Sequence, residues 1–123
     1  MLTGANLDEL AILRGLEEAK ACQLAQRAHN SISIIDEKEG HELEYDLIYT
    51  NEFSSSRKMM SVVVQDKRNG KFFVFAKGAD SEIMSRLSAE SLASPLKTQV
   101  QKEVKVYGSK GLRTLCFAMR EMS

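Results

Sequence analysis

Apolar positions along this chain switch between helical and strand spacing, and the switches divide it into a short series of elements. Leu10, Leu13 and Leu16 recur at helical spacing from Leu7 to about Ala19, with Asn6 placed as N-cap and Asp8 and Glu9 where a helix N-terminus favours negative charge. Helix-forming residues continue through Lys20-Ala21-Cys22-Gln23-Leu24-Ala25-Gln26-Arg27, so periodicity alone extends this helix to about Ala28. Ser31-Ile32-Ser33-Ile34-Ile35 alternates as a short strand, the charged segment from Asp36 to His41 with Gly40 reads as a turn, and Leu43 to Glu52 returns as a second strand. Met59 to Gln65 predicts another strand. Arg68-Asn69-Gly70-Lys71 then carries the Asn-Gly hairpin signal, and Lys71 to Ala76 pairs back.

The run Phe72-Phe73-Val74-Phe75-Ala76-Lys77-Gly78-Ala79-Asp80 reads as a strand that delivers a cation to a tight turn, where Gly78 permits unusual dihedrals or a close ligand approach. A helix follows from Ser81 to Leu87, then a polar Ser/Ala-rich connection, then a helix with Ser94 as N-cap and Pro95 at its first position. Leu96, Val100, Val104 and Tyr107 supply the buried face of that helix. Gly108-Ser109-Lys110-Gly111 ends it, and Leu112 to Met119 forms a last strand with Arg113 at its start. Hairpins interrupted by helices predict an α+β fold, an antiparallel sheet flanked by helices, in one domain spanning residues 1–123.

Charge and cysteine usage narrow the chemistry. Seventeen basic and seventeen acidic residues cancel, so no overall field favours nucleic acid or an anionic membrane, and any anion site must be local. Cys22 and Cys116 are expected as reduced thiols, and no apolar run reaches the roughly 20 residues that span a bilayer. The chain has neither the Gly-x-x-x-x-Gly-Lys-Ser/Thr phosphate loop nor a Gly-x-Gly-x-x-Gly turn. His29 and His41 lack Cys or His neighbours at metal-ligand spacing and read as solvated residues, so no metal site is expected. Cys116 sits in an apolar strand pattern, as a core residue rather than a nucleophile.

The remaining candidates each carry two readings. Lys77 is an anion or nucleotide contact, or a strand-end cation before a helix capped by Asp80. Phe53, breaking from a strand into Ser54-Ser55-Ser56-Arg57-Lys58, stacks on a base with Lys58 supplying charge, or closes the core at a strand end. Arg113 contacts phosphate or ribose, or pairs with a surface acid. Glu9 hydrogen-bonds a ligand amine, or stabilises its helix terminus.

In combination these pieces resemble the nucleotide-binding (N) domain of P-type ATPases, in particular the type IV phospholipid flippases. The resemblance rests on Leu7-Asp8-Glu9-Leu10-Ala11-Ile12 at a helix start, the segment from Glu52 to Val62, the Lys-Gly-Ala-Asp motif from Lys77 to Asp80, and Gly-Leu-Arg-Thr-Leu-Cys from Gly111 to Cys116. It departs from the family pattern at Leu7, where proline is usual, at Lys20-Ala21, where a glycine-aromatic pair is usual, and at Met60. It implies that Phe53 stacks on adenine, Glu9 lies near the exocyclic amine, Lys58 lines the pocket, Lys77 sits near the base, and Gly78 lets nucleotide approach the backbone. Arg113 would reach toward ribose and phosphates, with Ser54 and Ala79 lining the pocket.

The family's phosphorylated Asp-Lys-Thr-Gly motif, its Thr-Gly-Glu loop and its magnesium-binding acids are not in this sequence, so no catalytic residue is assigned. The resemblance thus implies a cytosolic domain of a membrane ATPase. It would bind ATP, with magnesium held mainly outside it, and work with phosphorylation and actuator domains and an accessory subunit of the parent. A cation-transporting P-type ATPase and a protein-interaction module built around Phe53 are the rival readings.

Overall fold

The computed structural model describes residues 12, 14, 16, 18, 22–27 and 30–122. Residues 12, 14, 16 and 18 are helical, in keeping with the leucine spacing, while Asn6 and Glu9 lie outside the described residues. Six strands follow: β1 (Cys22–Arg27), β2 (Ser31–Asp36), β3 (His41–Ser54), β4 (Met59–Asp66), β5 (Phe72–Gly78) and β6 (Cys116–Met122), hydrogen-bonded in chain order. Between β5 and β6 come α1 (Asp80–Met84), α2 (Ala89–Ala93) and α3 (Pro95–Ser109). The architecture is α+β, as the pattern predicts. The chain forms two compact units, one from the segment up to Leu47 with Gln65–Lys71, the other from Ile48–Val64 with Phe72 onward.

In the first unit, the helical reading of Cys22 to Arg27 is overturned. These residues form β1, antiparallel to β2 from Cys22↔Asp36 to Arg27↔Ile32, with a register irregularity between Leu24 and Gln26. Helix propensities differ by only a few tenths of a kcal/mol per residue, so a strand ladder that satisfies every second backbone pair outweighs them. The β2–β3 hairpin pairs Ser31↔Asp46 through Asp36↔His41. Its turn is held by Asp36, whose carbonyl accepts from Gly40 N–H at 2.7 Å and whose Oδ1 accepts from Lys38 N–H at 2.9 Å. In the 65–71 turn, Asp66 is buried, and its Oδ2 accepts from Arg68 Nη2 at 2.8 Å while Oδ1 accepts from Arg68 N–H at 2.9 Å. Hydrogen bonding by Arg68 holds the Asp66 carboxyl below the usual carboxylate range, against the opposing effect of burial.

In the second unit, the core is the cluster of Met59, Ile83 and Cys116, with Ala76, Val104 and Ala118 packed against it. Strand alternation explains the selection, since Ala76 and Gly78 share one face of β5 and pair with Ala118 and Cys116 of β6. Burial pushes the Cys116 thiol up, aided by the negative charge of Asp80, which fits the core reading of this cysteine.

Several element ends differ from the pattern-based expectation. The cap of α1 is Ala79, without a side-chain hydrogen bond, and Asp80 contributes first-turn negative charge instead. Past Met84, α1 decays into i→i+3 bonds, Arg86 N–H to Ile83 O at 3.1 Å and Leu87 N–H to Met84 O at 3.4 Å. Inside the Ser/Ala-rich connection, Ser88 caps α2 by accepting from Ser91 N–H at 3.2 Å. Ser94 caps α3 as expected, its Oγ accepting from Leu96 N–H at 3.2 Å.

The end of α3 moves the start of β6. Gly111, at φ 76°, takes the left-handed conformation that a side chain disfavours, and the chain closes with Gly111 N–H to Gly108 O at 3.0 Å and Leu112 N–H to Tyr107 O at 3.1 Å. This paired closure ties Leu112 to the helix, so the strand begins at Cys116 rather than Leu112. The expected buried face of α3 is also corrected. Val104 alone of the four residues packs on the core, while Leu96 is 68% exposed, and Leu96, Val100 and Tyr107 line an open groove with residues of α1 and the 112–117 segment.

Candidate functional site

The side chains of β5 sort themselves by period. With Ala76 and Gly78 turned to the core, Phe75 and Lys77 take the opposite face. Antiparallel pairing then sets Lys77 directly across from Phe117, and Phe75 across from Met119. Met60, Ser61 and Val62 of β4 complete a cavity of about 230 Å³ lined also by Phe75, Ala76, Lys77 and Phe117. It is an apolar concavity with one cationic side chain in its wall. Phe73 and Phe75 extend the aromatic face, their ring centroids 6.2 Å apart.

Gly78 is fixed by a close backbone crossing. A Cβ at this position would lie 2.5 Å from Met59 Cβ, 2.6 Å from the Lys58 carbonyl oxygen and 2.8 Å from Met59 Cα. Ala79 N–H donates to that same carbonyl at 3.0 Å. The glycine read from sequence as room for a ligand therefore has a structural cause within the chain: it lets the start of β4 pass against the end of β5. Ala79 continues from this crossing as the α1 cap.

The Ser54–Lys58 turn carries the other candidates. Lys58 N–H donates to Ser54 O at 2.7 Å, and Ser54 Oγ accepts from Arg57 N–H at 3.2 Å and from Arg57 Nε at 3.3 Å. Arg57 Nη2 also donates to the carbonyl of Glu52. The Ser54 hydroxyl is thus engaged in the turn. Lys58 has φ 56°, a left-handed conformation for a non-glycine residue, at the point where the chain enters β4. Phe53, at the end of β3, is 62% exposed, so the core reading of this ring is not what the structure contains.

The predicted site residues do not all converge. Lys77 lines the β4–β6 cavity, and Gly78 and Ala79 adjoin it along the chain. Arg113 lines a different concavity, the groove of about 750 Å³ bordered by α1, α3 and the 112–117 segment. Phe117 borders both. Glu9 lies outside the described residues. Met60, Ser61, Val62, Phe75, Ala76 and Phe117 line the cavity without having been marked as candidates in the sequence. Counting back by two from Lys77 finds Phe75, but Phe117 is found only through the β5–β6 register.

His41 sits beside Glu39 at 3.4 Å and Arg68 at 3.3 Å, and with exposed Glu39 and half-buried Asp36 it forms a group of side chains in the β2–β3 turn. Among the described residues, no helix is long and apolar enough to cross a membrane.

Comparison with known proteins places this arrangement. The family model for the P-type ATPase cytoplasmic domain N matches residues 3–123. The chain is 37% identical over 119 residues to phospholipid-transporting ATPase DRS2 of Saccharomyces cerevisiae, a match covering 97% of this chain and 8% of that protein. It is 34% identical over 123 residues to human phospholipid-transporting ATPase VA, covering 94% of this chain and 8% of the relative. Phospholipid-transporting ATPase 2 of Arabidopsis thaliana is 40% identical over 83 residues, covering 68% of this chain and 7% of the relative. The chain thus spans less than a tenth of the length of these relatives. It belongs to the family of P-type ATPase cytoplasmic N domains, with phospholipid-transporting ATPases among its relatives.

Proposed function

We propose that this chain is the ATP-binding domain of a phospholipid-translocating P-type ATPase, holding adenine on the open face of β4–β6 and presenting the γ-phosphate to a separate phosphorylation domain. The observation that carries this reading is the Lys77 cavity, whose walls are apolar and aromatic and whose one cation is Lys77. Adenine has two apolar faces and ring nitrogens that accept hydrogen bonds, so an ammonium donor at the edge of an apolar slot matches it. Phe53, exposed at the end of β3, supplies further stacking surface, and Lys58 with the Ser54 turn flanks it. Gly78 and Ala79 fix the main chain that follows Lys77, and Arg113 meets the phosphate end.

In this reading the chain binds and orients without breaking a bond. Magnesium is held mainly by residues outside the chain, and its role there is to neutralise phosphate charge during transfer. The parent enzyme couples ATP to phospholipid movement from a cytosolic position of this domain, together with its phosphorylation and actuator domains and an accessory subunit. The names of the relatives favour phospholipid over cation transport.

Titration of the isolated chain with ATP, ADP, AMP and adenosine, followed by amide NMR, tests the proposal. Signals of Phe53, Phe75, Lys77, Gly78 and Phe117 are expected to shift, and adenosine should retain much of the response. Lys77→Met should weaken ATP binding about 10-fold or more, the scale of losing a hydrogen bond from a charged donor. An unchanged spectrum at millimolar ATP refutes nucleotide binding.

A further inference from the structure

The Lys77 cavity has an aromatic wall that the motifs do not mark. Phe117 is the direct cross-strand partner of Lys77, it is 60% exposed, and it borders both the Lys77 cavity and the groove that contains Arg113. Its neighbour Cys116 is buried on the core face, so alternation commits the Phe117 ring to the open face. A single exposed aromatic residue is ordinary on a protein surface, but Phe117 belongs to a patch. Phe75 and Met119, the next cross-strand pair on that face, are also exposed.

Resting on the nucleotide reading above, we infer that Phe117 is a base-stacking residue of the adenine site, placed beside Lys77. Directly opposed residues of an antiparallel pair have Cβ atoms about 5 Å apart, close enough for one planar ligand to meet the ammonium at its edge and the ring on its face. Among the described residues lining the Lys77 cavity, Phe75 and Phe117 are the aromatic ones. Phe75 is already engaged with Phe73, with centroids 6.2 Å apart. The open face of Phe117 is therefore the better stacking platform. Stacking tolerates any base, so purine preference comes from ring size and the Lys77 donor rather than from Phe117.

The chain contains no tryptophan, so Phe117→Trp introduces a single fluorophore at the inferred position. ATP and adenosine should quench its emission, and inorganic triphosphate should not. Phe117→Ala should weaken binding of both ATP and adenosine about 5- to 150-fold, the range of one lost aromatic stack. Phe117→Tyr should restore affinity to near wild type. The exposed ring predicts little change in thermal stability, and circular dichroism of each variant checks that the fold is kept.

The outcomes separate the two claims. Wild-type chain that binds ATP while Phe117→Ala binds it within twofold overturns the role of Phe117 and leaves the nucleotide reading intact. Quenching by inorganic triphosphate as strong as by adenosine also overturns it, since the ring would then sense phosphate rather than base. Wild-type chain that binds no nucleotide overturns both.

Discussion

Replacing Gly78 by alanine tests whether the Lys-Gly-Ala turn is constrained by the fold before any ligand is present. The new Cβ would stand 2.5 Å from Met59 Cβ, 2.6 Å from the Lys58 carbonyl oxygen and 2.8 Å from Met59 Cα. Carbon atoms in favourable contact are about 3.5–4.0 Å apart, so the strands must separate by about 1 Å. They are held together there by the Ala79 N–H to Lys58 O bond of 3.0 Å. Overpacking of this kind costs about 1–3 kcal/mol, the hydrogen bond adds about 1, and reduced freedom of the unfolded chain returns under 1. The expected loss is about 2–3 kcal/mol, which for 123 residues lowers the melting temperature by about 8–12 °C. Gly108, inside α3, is the matched control, because a Cβ added there would meet nothing within 4 Å. Gly108→Ala should raise the melting temperature by about 2–4 °C through helix propensity. Thermal unfolding followed by circular dichroism reads both variants in one assay. A Gly78→Ala melt within about 2 °C of wild type refutes the backbone-crossing account of this glycine.

Ile83 is 3% exposed at the centre of the second unit's core, so Ile83→Ala should cost about 2–5 kcal/mol by urea denaturation. Ser94→Ala removes the acceptor for Leu96 N–H and should cost about 1 kcal/mol by the same measurement. Asp66 is held below the usual carboxylate range by hydrogen bonding from Arg68, so its contribution to stability is full above the unfolded value of about 3.9 and is lost as pH falls through the lower folded value. Denaturation midpoints measured between pH 7 and pH 2 should therefore fall at the acid end, and Asp66→Asn should flatten that limb. Lys58→Gly relieves the left-handed backbone at φ 56° and should leave stability unchanged or raise it by up to about 1 kcal/mol. If Lys58 lines the nucleotide site, the same variant should bind ATP more weakly in an NMR titration.

Local chemistry made most elements of this fold legible. Asn69-Gly70, Ser94-Pro95 and the Gly108–Gly111 closure each act within a few residues, so their turns and caps follow from the letters themselves. What failed was decided at longer range. Cys22 to Arg27 has helix-forming composition, and only its pairing with β2 makes it a strand. Leu96, Val100 and Tyr107 have the spacing of a buried stripe, but a stripe records apolar character and not whether something covers it. The candidate site divides the same way. Lys77 and Phe53 announced themselves through abrupt changes in local composition, whereas Phe117 comes to line the Lys77 cavity through a register between strands separated by three helices.

The crossing of β4 against β5 at Gly78 has a consequence for how the site can change. The backbone that follows Lys77 is located by main-chain contacts, at Gly78 and through Ala79 to Lys58. The point from which the lysine side chain springs is thereby set in advance, and only the side chain's own rotatable bonds remain to be ordered. Met60, Val62 and Phe75 can then be exchanged among apolar residues, altering the depth and shape of the slot, while the main chain that carries Lys77 keeps its place. The shape of the cavity becomes adjustable separately from the backbone that carries the lysine. In engineering terms, the strand crossing is a fixed frame, and the cavity wall is the interchangeable part.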